Sequence, residues 1–392
     1  MKKIVFTEEF CKPEYLFPFT LTRQIQDIRL GILTIREKWE RWLDLDSFDR
    51  NEGDYKDLER AIVLDDRIGD DTIFLIHGNI LPTARLVKQV KKLKSGEFIS
   101  IPGRESVIYC ISKQEILDTN KIKVKKAVEL EEDLKELKYP WDIFQNNQWY
   151  ISQDFELLTK GRKSAKISAT NRCISEQNIF IEKGARVEHC IINAEEGPVY
   201  IGKNALVMEG SMLRGPVAIG EGVVVKMGTR IYGATTIGPY CTAGGEIKNS
   251  VFFGYSNKAH DGYIGDSVIG EWCNMGAGTS NSNIKNNASG VAVWTPSGQV
   301  NVGLKCGVIM GDYSRTSINT SINTGTVIGV GCNVFGNGLT PKFIPCFSWG
   351  ADGVERYDFA KALKDIQAWK SLKHKQLTEN EQLILKHIFD HY

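Results

Sequence analysis

The stretch IGKNALVMEGSMLRGPVAIGEGVVVKMGTRIYGATTI, residues 201–237, decides the fold of half the chain. Its apolar residues stand at strict six-residue spacing: Ile201, Val207, Leu213, Ile219, Val225, Ile231 and Ile237. A small or β-branched residue follows each of them four positions later. This double register predicts a parallel β-helix, in which each coil buries its apolar face only against its neighbours. A β-sandwich would instead show period-two alternation and irregular turn spacing.

Two breaks in the six-residue register predict loops. The register stops after Ile237, resumes at Ile264, breaks again near Ile284 and runs once more from Leu304. Loops that leave one face of a regular solenoid often carry function. We therefore expect functional residues in the segments at about 252–263 and 284–300.

Composition narrows the class of protein. The 392 residues suffice for two or three domains, and 49 basic residues nearly balance 48 acidic ones. That balance gives no reason to expect nucleic acid or an anionic membrane as a partner. No apolar run approaches a membrane span, and no signal peptide is recognisable. Nine cysteines without CxxC spacing indicate reduced thiols, so we expect a cytoplasmic protein.

Composition and periodicity divide the chain into three parts. Residues 1–150 alternate between strand-like and helix-like segments, which predicts an α/β domain with a largely parallel sheet. Residues 151–345 hold the repeat, and residues 346–392 look helical. We expect the C-terminal helices to cap the β-helix or to pack on a neighbour. Their apolar residues recur at helical spacing: Phe359, Leu363, Ile366, Trp369 and Leu372.

Short motifs in the first part resemble the sugar-1-phosphate nucleotidyltransferases. Pro18-Phe19-Thr20, Arg23 and Glu37-Lys38 look like the opening of that family, and His77-Gly78-Asn79-Ile80-Leu81-Pro82 looks like its Asn-Gly-Asp turn. The resemblance implies a Rossmann-like domain that binds a nucleotide. Two departures concern its activity. The family's glycine-rich phosphate loop would lie in residues 7–17, yet residues 7–12 contain no glycine, and the metal-binding carboxylate would fall at Asn79, a neutral amide.

Four basic residues of this region offer a substitute for the missing phosphate loop. Arg23, Arg29, Arg36 and Lys38 could cradle the phosphates of a nucleotide, or they could form a solvated helix face. The sequence leaves both interpretations open. We expect Mg²⁺ to be needed only if this domain is active, and no metal site elsewhere.

A second series of motifs, around the first register break, also resembles a known family. They are Glu246-Ile247-Lys248-Asn249-Ser250, Lys258-Ala259-His260, Tyr263-Ile264-Gly265-Asp266, Asn274 to Thr279, and Asn283. This series is similar to the acetyltransferase half of the bifunctional N-acetylglucosamine-1-phosphate uridyltransferase/glucosamine-1-phosphate acetyltransferase family. The intervals are preserved over residues 230–283. The resemblance implies that the hexapeptide β-helix is left-handed, and the order of the two domains is also that of the family.

The resemblance also implies roles for individual residues. His260 would be the general base for the attacking amino group, and Glu246 would orient it. The backbone N–H of Ala277 would meet the acetyl oxygen as negative charge develops. Arg230 and Lys248 would hold the sugar phosphate. The sugar itself would be bound by three further side chains: Tyr263, Asn274 and Asn283.

The same resemblance implies partners. Acetyl-CoA would lie in a groove between two β-helices, which implies a homotrimer. The segment 284–303 departs from the family: Ile284 replaces a tyrosine, and the loop is longer and carries Trp294. Trp294 could stack on a ligand or plug the loop against its neighbour, and the identity of the acceptor sugar stays open.

Three functions remain compatible with these patterns. The first is an acetyl-CoA-dependent N-acetyltransferase acting on an amino-sugar 1-phosphate, on the route to UDP-N-acetylglucosamine. The second is an active uridylyl or thymidylyl transferase, and the third a non-catalytic protein that binds nucleotide sugars or assembles others. A zinc-dependent β-helix hydratase would need three histidines, whereas the β-helix holds only His189 and His260.

Overall fold

The computed structural model describes residues 2–9, 11–50, 61–62, 72–101, 104–112 and 126–392. The chain forms two compact units. The first comprises Met1–Pro13, Arg23–Ile28 and Leu33–Lys138, and the second Glu14–Thr22, Arg29–Ile32 and Tyr139–Tyr392. Two short N-terminal segments thus belong to the second unit. The sequence-based boundary near residue 150 falls inside a helix of that unit.

The first unit is built on a mixed, Rossmann-like sheet. In the described residues its strand order is β3-β2-β1-β4-β6-β5-β7. β1 pairs in parallel with both β2 and β4, whereas β6 runs antiparallel to β4 and β5. The predicted α/β domain is confirmed. The strands are β1 Lys2–Thr7, β2 Ser47–Arg50, β3 Ala61–Ile62, β4 Thr72–His77, β5 Glu97–Ile101, β6 Arg104–Ser112 and β7 Lys126–Glu129, and the helices are α1 Ile35–Leu43 and α2 Ala84–Val90.

Helix α1 begins and ends for local reasons. The Thr34 hydroxyl accepts from the Glu37 N–H at 3.1 Å, and the Glu37 carboxylate accepts from the Thr34 N–H at 2.7 Å. This capping box satisfies two backbone donors that a helix start leaves unpaired. The helix ends at Leu43, and the capping residue Asp44 that follows has a left-handed φ of 57°.

The second unit contains the predicted β-helix, whose strands stack in parallel sheets consistent with a left-handed coil. Sheet A has the order β10-β13-β16-β19-β22-β25-β30-β33, sheet B the order β23-β20-β17-β14-β11-β8, and sheet C the order β34-β32-β29-β24-β21-β18-β15-β12-β9. The strands are β8 Arg172–Ile174, β9 Ile179–Ile181, β10 Arg186–Val187, β11 Ile191–Asn193, β12 Val199–Ile201, β13 Leu206–Val207, β14 Met212–Arg214, β15 Val217–Ile219, β16 Val224–Val225, β17 Arg230–Tyr232, β18 Thr235–Ile237, β19 Thr242–Ala243, β20 Glu246–Lys248, β21 Val251–Gly254, β22 Asn257–Lys258, β23 Tyr263–Gly265, β24 Val268–Glu271, β25 Asn274–Met275, β26 Ser280–Asn281, β27 Ala292–Thr295, β28 Gly298–Asn301, β29 Ile309–Met310, β30 Arg315–Thr316, β31 Ser321–Ile322, β32 Val327–Ile328, β33 Asn333–Val334 and β34 Phe343–Ile344.

The seven apolar residues at six-residue spacing form the core of the coil, as predicted. All of them are buried, and all belong to one continuous hydrophobic cluster. Burying an aliphatic side chain of this size stabilises the fold by about 1.5–3 kcal/mol. The repeat therefore supplies the main apolar stabilisation of this unit.

The first register break is not a loop, and the predicted excursion at 252–263 is wrong. Residues 251–254 and 257–258 are strands in register with their neighbours. Thr236 pairs with Val251 only fifteen positions later, whereas Val217 pairs with Thr235 eighteen positions later. The coil is shorter here, which shifts the apolar spacing without breaking the stack.

The second break is a true excursion. Val268 pairs with Ile309, and the intervening segment contains the antiparallel hairpin of β27 and β28. On this hairpin the Trp294 ring stacks on Phe343, with ring centroids 3.7 Å apart. The Phe17 ring packs edge-on against Trp294 at 5.2 Å. Trp294 therefore packs against its own chain.

Helix α3 (Pro140–Thr159) joins an N-terminal segment to the β-helix. Its Asn147 amide oxygen accepts from the Gly31 N–H at 2.6 Å, and its amide nitrogen donates to Thr236 Oγ1 at 3.1 Å. Asp154 accepts from the Ile32 N–H at 2.8 Å. These buried polar contacts explain why Arg29–Ile32 belongs to the second unit.

Two further helices end the chain, as predicted: α4 (Phe359–Ser371) and α5 (Glu379–His391). Lys370 of α4 pairs with Glu381 of α5, and its ammonium lies 4.9 Å from the centre of the Trp272 ring. The Tyr313 hydroxyl donates to Glu381 at 3.0 Å. The helices thus pack against the side of the β-helix. Among the described residues, no helix combines the length and apolarity needed to cross a bilayer.

Candidate functional site

Sheet B of the β-helix carries four of the predicted site residues on its outer face. Arg230 pairs with Glu246, Glu246 pairs with Tyr263, and Lys248 lies two residues beyond Glu246. The residues between them, Ile231, Ile247 and Ile264, are buried in the core. Because side chains alternate along a strand, the predicted residues point away from the core together.

A network of polar contacts connects Arg230, Glu246 and Lys248, the last of them through the side chain of Tyr232. The Tyr232 hydroxyl donates to Glu246 at 2.7 Å, and Arg230 Nε lies 3.5 Å from the other Glu246 oxygen. The Lys248 ammonium lies 5.7 Å from the centre of the Tyr232 ring. The hydrogen bond to Glu246 raises the pKa of Tyr232 to about 12, which keeps the phenol protonated at neutral pH. The sequence analysis missed Tyr232, although its position two residues after Arg230 places it on the same face.

A second network lies one coil further on. Asn283 donates to the Tyr263 hydroxyl at 3.1 Å and to Asp266 at 2.5 Å. The other Asp266 oxygen accepts from Asn249 at 2.7 Å. Burial raises the pKa of Tyr263 to about 12. The structure thus brings Tyr263 and Asn283 together and adds Asp266 and Asn249, which stand in the quoted motifs without an assigned role.

His260 lies at the corner between sheets A and B. It is exposed in the turn that leads from β22 to β23. Ala277 occupies the same corner one coil later, and the two turns are joined by a hydrogen bond of 2.9 Å from the Gly278 N–H to the Asp261 carbonyl. Within the described chain, the Ala277 N–H has no acceptor.

Asn274 and His260, two of the predicted site residues, take no part in these two networks. Asn274 is on sheet A, where it pairs with Asn257 on one side and Arg315 on the other. No hydrogen bond in the described residues joins Glu246 to His260, because the Glu246 carboxylate contacts Tyr232 and Arg230. The candidate residues therefore occupy two faces that meet at the His260 corner.

The first unit places its candidate site at the carboxyl ends of β1 and β4. These parallel neighbours lie where the strand order reverses, which is where open α/β sheets bind ligands. Asn79 follows β4, and its amide oxygen accepts from Cys11 Sγ at 3.3 Å while its amide nitrogen donates to the Leu137 carbonyl at 3.2 Å. The side chain thus braces two loops of this unit. Of residues 7–12, Phe10 lies outside the described part.

The four basic residues proposed as a phosphate cradle have different environments. Arg36 is buried and binds Asp27 at 2.6 Å and Asp49 at 2.6 Å. Arg29 belongs to the second unit, where it donates to the carbonyls of Ile32 and Phe253 at 2.5 and 3.2 Å. Arg36 and Arg29 therefore serve internal contacts. The other two, Arg23 and Lys38, lie in the first unit, half-buried and buried respectively.

A metal site in the described residues would be built from cysteine, histidine or acidic side chains. All nine cysteines are free thiols. Over the part of the chain that the structure describes, no three His, Cys, Asp or Glu side chains are grouped closely enough to hold a metal ion. At the Asn79 position an amide that already bonds to protein groups is a poor match for Mg²⁺, which prefers charged oxygen ligands.

Comparison with known proteins identifies one family profile and several bifunctional relatives. Residues 4–163 match the profile of the family described as "Sugar nucleotidyl transferase". The "Bifunctional protein GlmU" of Methanocaldococcus jannaschii is 38% identical over 87 residues, 22% of this chain and 21% of that protein. The protein of the same name from Methanococcus maripaludis is 27% identical over 213 residues, 52% of this chain and 43% of that protein.

A third relative carries both activities in its name. The "Bifunctional sugar-1-phosphate nucleotidylyltransferase/acetyltransferase" of Sulfurisphaera tokodaii is 28% identical over 211 residues, 54% of this chain and 47% of that protein. The chain thus spans less than half the length of each of these three relatives.

Proposed function

We propose that this chain is an acetyl-CoA-dependent N-acetyltransferase, because it resembles bifunctional relatives whose names include acetyltransferase activity, while residues 4–163 match the sugar nucleotidyl transferase family. The acceptor is an amino-sugar 1-phosphate of the glucosamine-1-phosphate type, and the product feeds the synthesis of UDP-N-acetylglucosamine. The observation that carries the proposal is the placement of Arg230 and Lys248 on one exposed face, next to the corner that holds His260.

Charge complementarity supports a phosphorylated acceptor. Arg230 is half exposed and Lys248 is partly exposed on the same sheet, so both cations can meet a ligand from solvent. Charge-assisted contacts of this kind bind phosphate oxygens well. The Tyr263 hydroxyl stays protonated at neutral pH and can donate to a sugar oxygen, because its oxygen accepts from Asn283 and its own proton has no partner in the described residues. The Tyr232 hydroxyl proton is committed to Glu246. Asn274 and Asn283 complete the proposed sugar contacts.

The proposed chemistry is a single acyl transfer. The neutral amine of the sugar attacks the thioester carbonyl carbon, and the His260 imidazole accepts the proton that the nitrogen releases. The C–S bond then breaks, and CoA leaves as the thiol once it has taken up a proton. The Ala277 N–H donates to the carbonyl oxygen while that atom carries negative charge. In the proposal Glu246 orients His260, which requires its carboxylate to leave Tyr232.

The proposal includes a homotrimer in the cytoplasm. Sheet B exposes large apolar side chains in the coils that precede Arg230: Ile174, Ile191 and Met212 are each about half exposed. An apolar strip beside a polar site is typical of a protein interface. A second copy packed there would form the groove for acetyl-CoA. Sedimentation equilibrium measures this directly, and a monomer at micromolar concentration would contradict it.

The second candidate is an active sugar-1-phosphate nucleotidyltransferase. The family match over residues 4–163 and the names of the relatives favour it. Against it stand the uncharged Asn79 and the absence of glycine from residues 7–12. We therefore propose that the first unit binds a nucleotide sugar with little or no turnover.

The deciding experiment is release of free CoA from acetyl-CoA with glucosamine-1-phosphate as acceptor. The wild-type protein should release CoA in proportion to the N-acetylated sugar, and unphosphorylated glucosamine should be a much poorer acceptor. An absence of acetyl transfer to any amino-sugar 1-phosphate, with the protein folded, would refute the main proposal. Pyrophosphate release from UTP or dTTP under the same conditions would then favour the second candidate.

A further inference from the structure

A lysine occupies a position in the β-helix core where the neighbouring coils are apolar. Lys258 lies on β22 and pairs with Ala243, and its exposed fraction is 0%. In the other strands of sheet A, the inward-facing residue is aliphatic, methionine or threonine: Val187, Val207, Val225, Ala243, Met275, Thr316 and Val334. An ammonium group in such a column is costly unless it is fully hydrogen-bonded.

The Lys258 ammonium is bonded to the turn that carries His260. Its Nζ donates to the carbonyl of His260 and, at 2.8 Å, to the carbonyl of Asp261. Burial lowers the pKa of Lys258 to about 8, and the Asp261 carboxylate opposes that shift. The ammonium therefore stays largely charged at pH 7 and holds both carbonyls from inside the coil.

The same carbonyl links this turn to the next one. Asp261 O accepts from Lys258 Nζ and also from the Gly278 N–H at 2.9 Å. Gly278 directly follows Ala277. The turn is also pressed against the next coil at Gly262, whose φ is 122° and where a Cβ would come within 2.1 Å of the Thr279 carbonyl. Lys258 thus binds, from inside the coil, the same carbonyl of the His260 turn that accepts from the Ala277 turn.

We propose that Lys258 is a positioning residue for acetyl transfer, which acts through the carbonyls of residues 260 and 261 to set the His260 imidazole relative to the Ala277 N–H. The inference rests on the proposed acetyltransferase function. It explains why a lysine stands where an apolar residue would pack without a desolvation cost. A displacement of about 1 Å between a general base and an oxyanion donor can cost about 100-fold in rate.

Lys258→Met tests the proposal, because methionine has a similar length and suits the apolar column. The variant should keep its fold, with a melting temperature equal to or above that of the wild type, since it removes a buried charge. Its kcat for acetyl transfer should fall about 10- to 100-fold, while KM for both substrates stays within about twofold. A loss of packing alone would lower the melting temperature and would not separate kcat from KM in this way.

Lys342→Met is the matched control. Like Lys258, Lys342 is a lysine of the β-helix whose ammonium bonds to a backbone carbonyl, that of Thr324, although Lys342 is only partly buried. It lies outside the His260 turn, so its replacement should leave kcat within about twofold. If Lys258→Met does not fold, Lys258→Leu replaces it in the same assay.

The outcomes distinguish a failure of the positioning role of Lys258 from a failure of the proposed function. An active wild type with a Lys258→Met kcat within about twofold would overturn the positioning role and leave the proposed function standing. A folded wild type without acetyl transfer would overturn the proposed function, and the positioning role with it. An equal fall in kcat for Lys258→Met and Lys342→Met would also overturn the assignment.

Discussion

Arg230 and Glu246 are direct partners on adjacent coils of the β-helix, with Arg230 Nε 3.5 Å from a Glu246 oxygen. One coil earlier, Arg214 forms a comparable pair with Glu196 at 2.9 Å. Both arginines are about half exposed. Arg230 lies one coil from Lys248, whereas Arg214 lies two coils from it, so the two pairs let a site role be separated from a surface ion pair, which typically contributes about 0–1 kcal/mol.

Arg230→Ala and Lys248→Ala should each weaken the phosphorylated acceptor. Each change removes a charge-assisted contact worth about 1.5–3 kcal/mol, so KM for glucosamine-1-phosphate should rise about 10- to 150-fold. KM for acetyl-CoA should hardly change. Arg214→Ala is the control and should leave both constants unaltered. A collapse of acetyl-CoA binding with an intact acceptor site would reverse the assignment.

His260→Ala should abolish acetyl transfer without changing the oligomeric state. Loss of one general base costs about 10²–10⁴ in rate. The measurement is CoA release, with sedimentation to verify assembly. The control is His189, which is exposed in the turn between β10 and β11 at the same corner of an earlier coil. Because its φ of 55° is left-handed, His189→Asn is the suitable change and should keep full activity. A His260→Ala rate within a few-fold of wild type would exclude the base role.

The first unit should show weak nucleotidyl transfer at best. Metal ions normally neutralise the phosphates in such reactions, and Asn79 offers a neutral amide that already contacts Cys11 and Leu137. The measurement is pyrophosphate release from UTP or dTTP with N-acetylglucosamine-1-phosphate and Mg²⁺. Asn79→Asp should raise turnover, whereas turnover by the wild type at several per second would contradict the prediction.

Acid should destabilise the first unit through His77. This side chain is buried at the end of β4, and burial lowers its pKa to about 4. Because the folded pKa lies below the unfolded value near 6.5, the unfolded state binds more protons between these values. Stability is complete above about pH 6.5 and falls by about 1.4 kcal/mol per pH unit as the pH drops towards 4.

The measurement is amide hydrogen exchange of β1 and β4 between pH 7 and pH 4.5, corrected for the intrinsic rate. His77→Phe removes the titrating group and keeps a ring beside Tyr109, whose centroid lies 6.1 Å from that of His77. The variant should show a flatter pH dependence than the wild type. Equal pH dependence in the two proteins would assign the effect to other groups.

Several features of the site could be predicted because they depend on strand alternation alone. Once a repeat defines which residues point inward, Arg230, Glu246, Lys248 and Tyr263 must share the outer face. Their contacts could not be predicted. Glu246 bonds to Tyr232 rather than to His260, since the phenol lies next to it in the adjacent coil and rotamer choice is not encoded by spacing.

The sequence by itself determined the β-helix, its buried column and the terminal helices, because each of these follows from periodicity between near neighbours. Only the tertiary structure decided which distant groups meet. In the folded protein Gly31 and Ile32 donate hydrogen bonds to helix α3, and Arg36 pairs with Asp49. The first register break is a shorter coil instead of a loop. The tertiary structure also places the Lys258 ammonium beneath His260. Such contacts join residues through the folded interior, where satisfying buried polar groups outweighs any local preference of the chain.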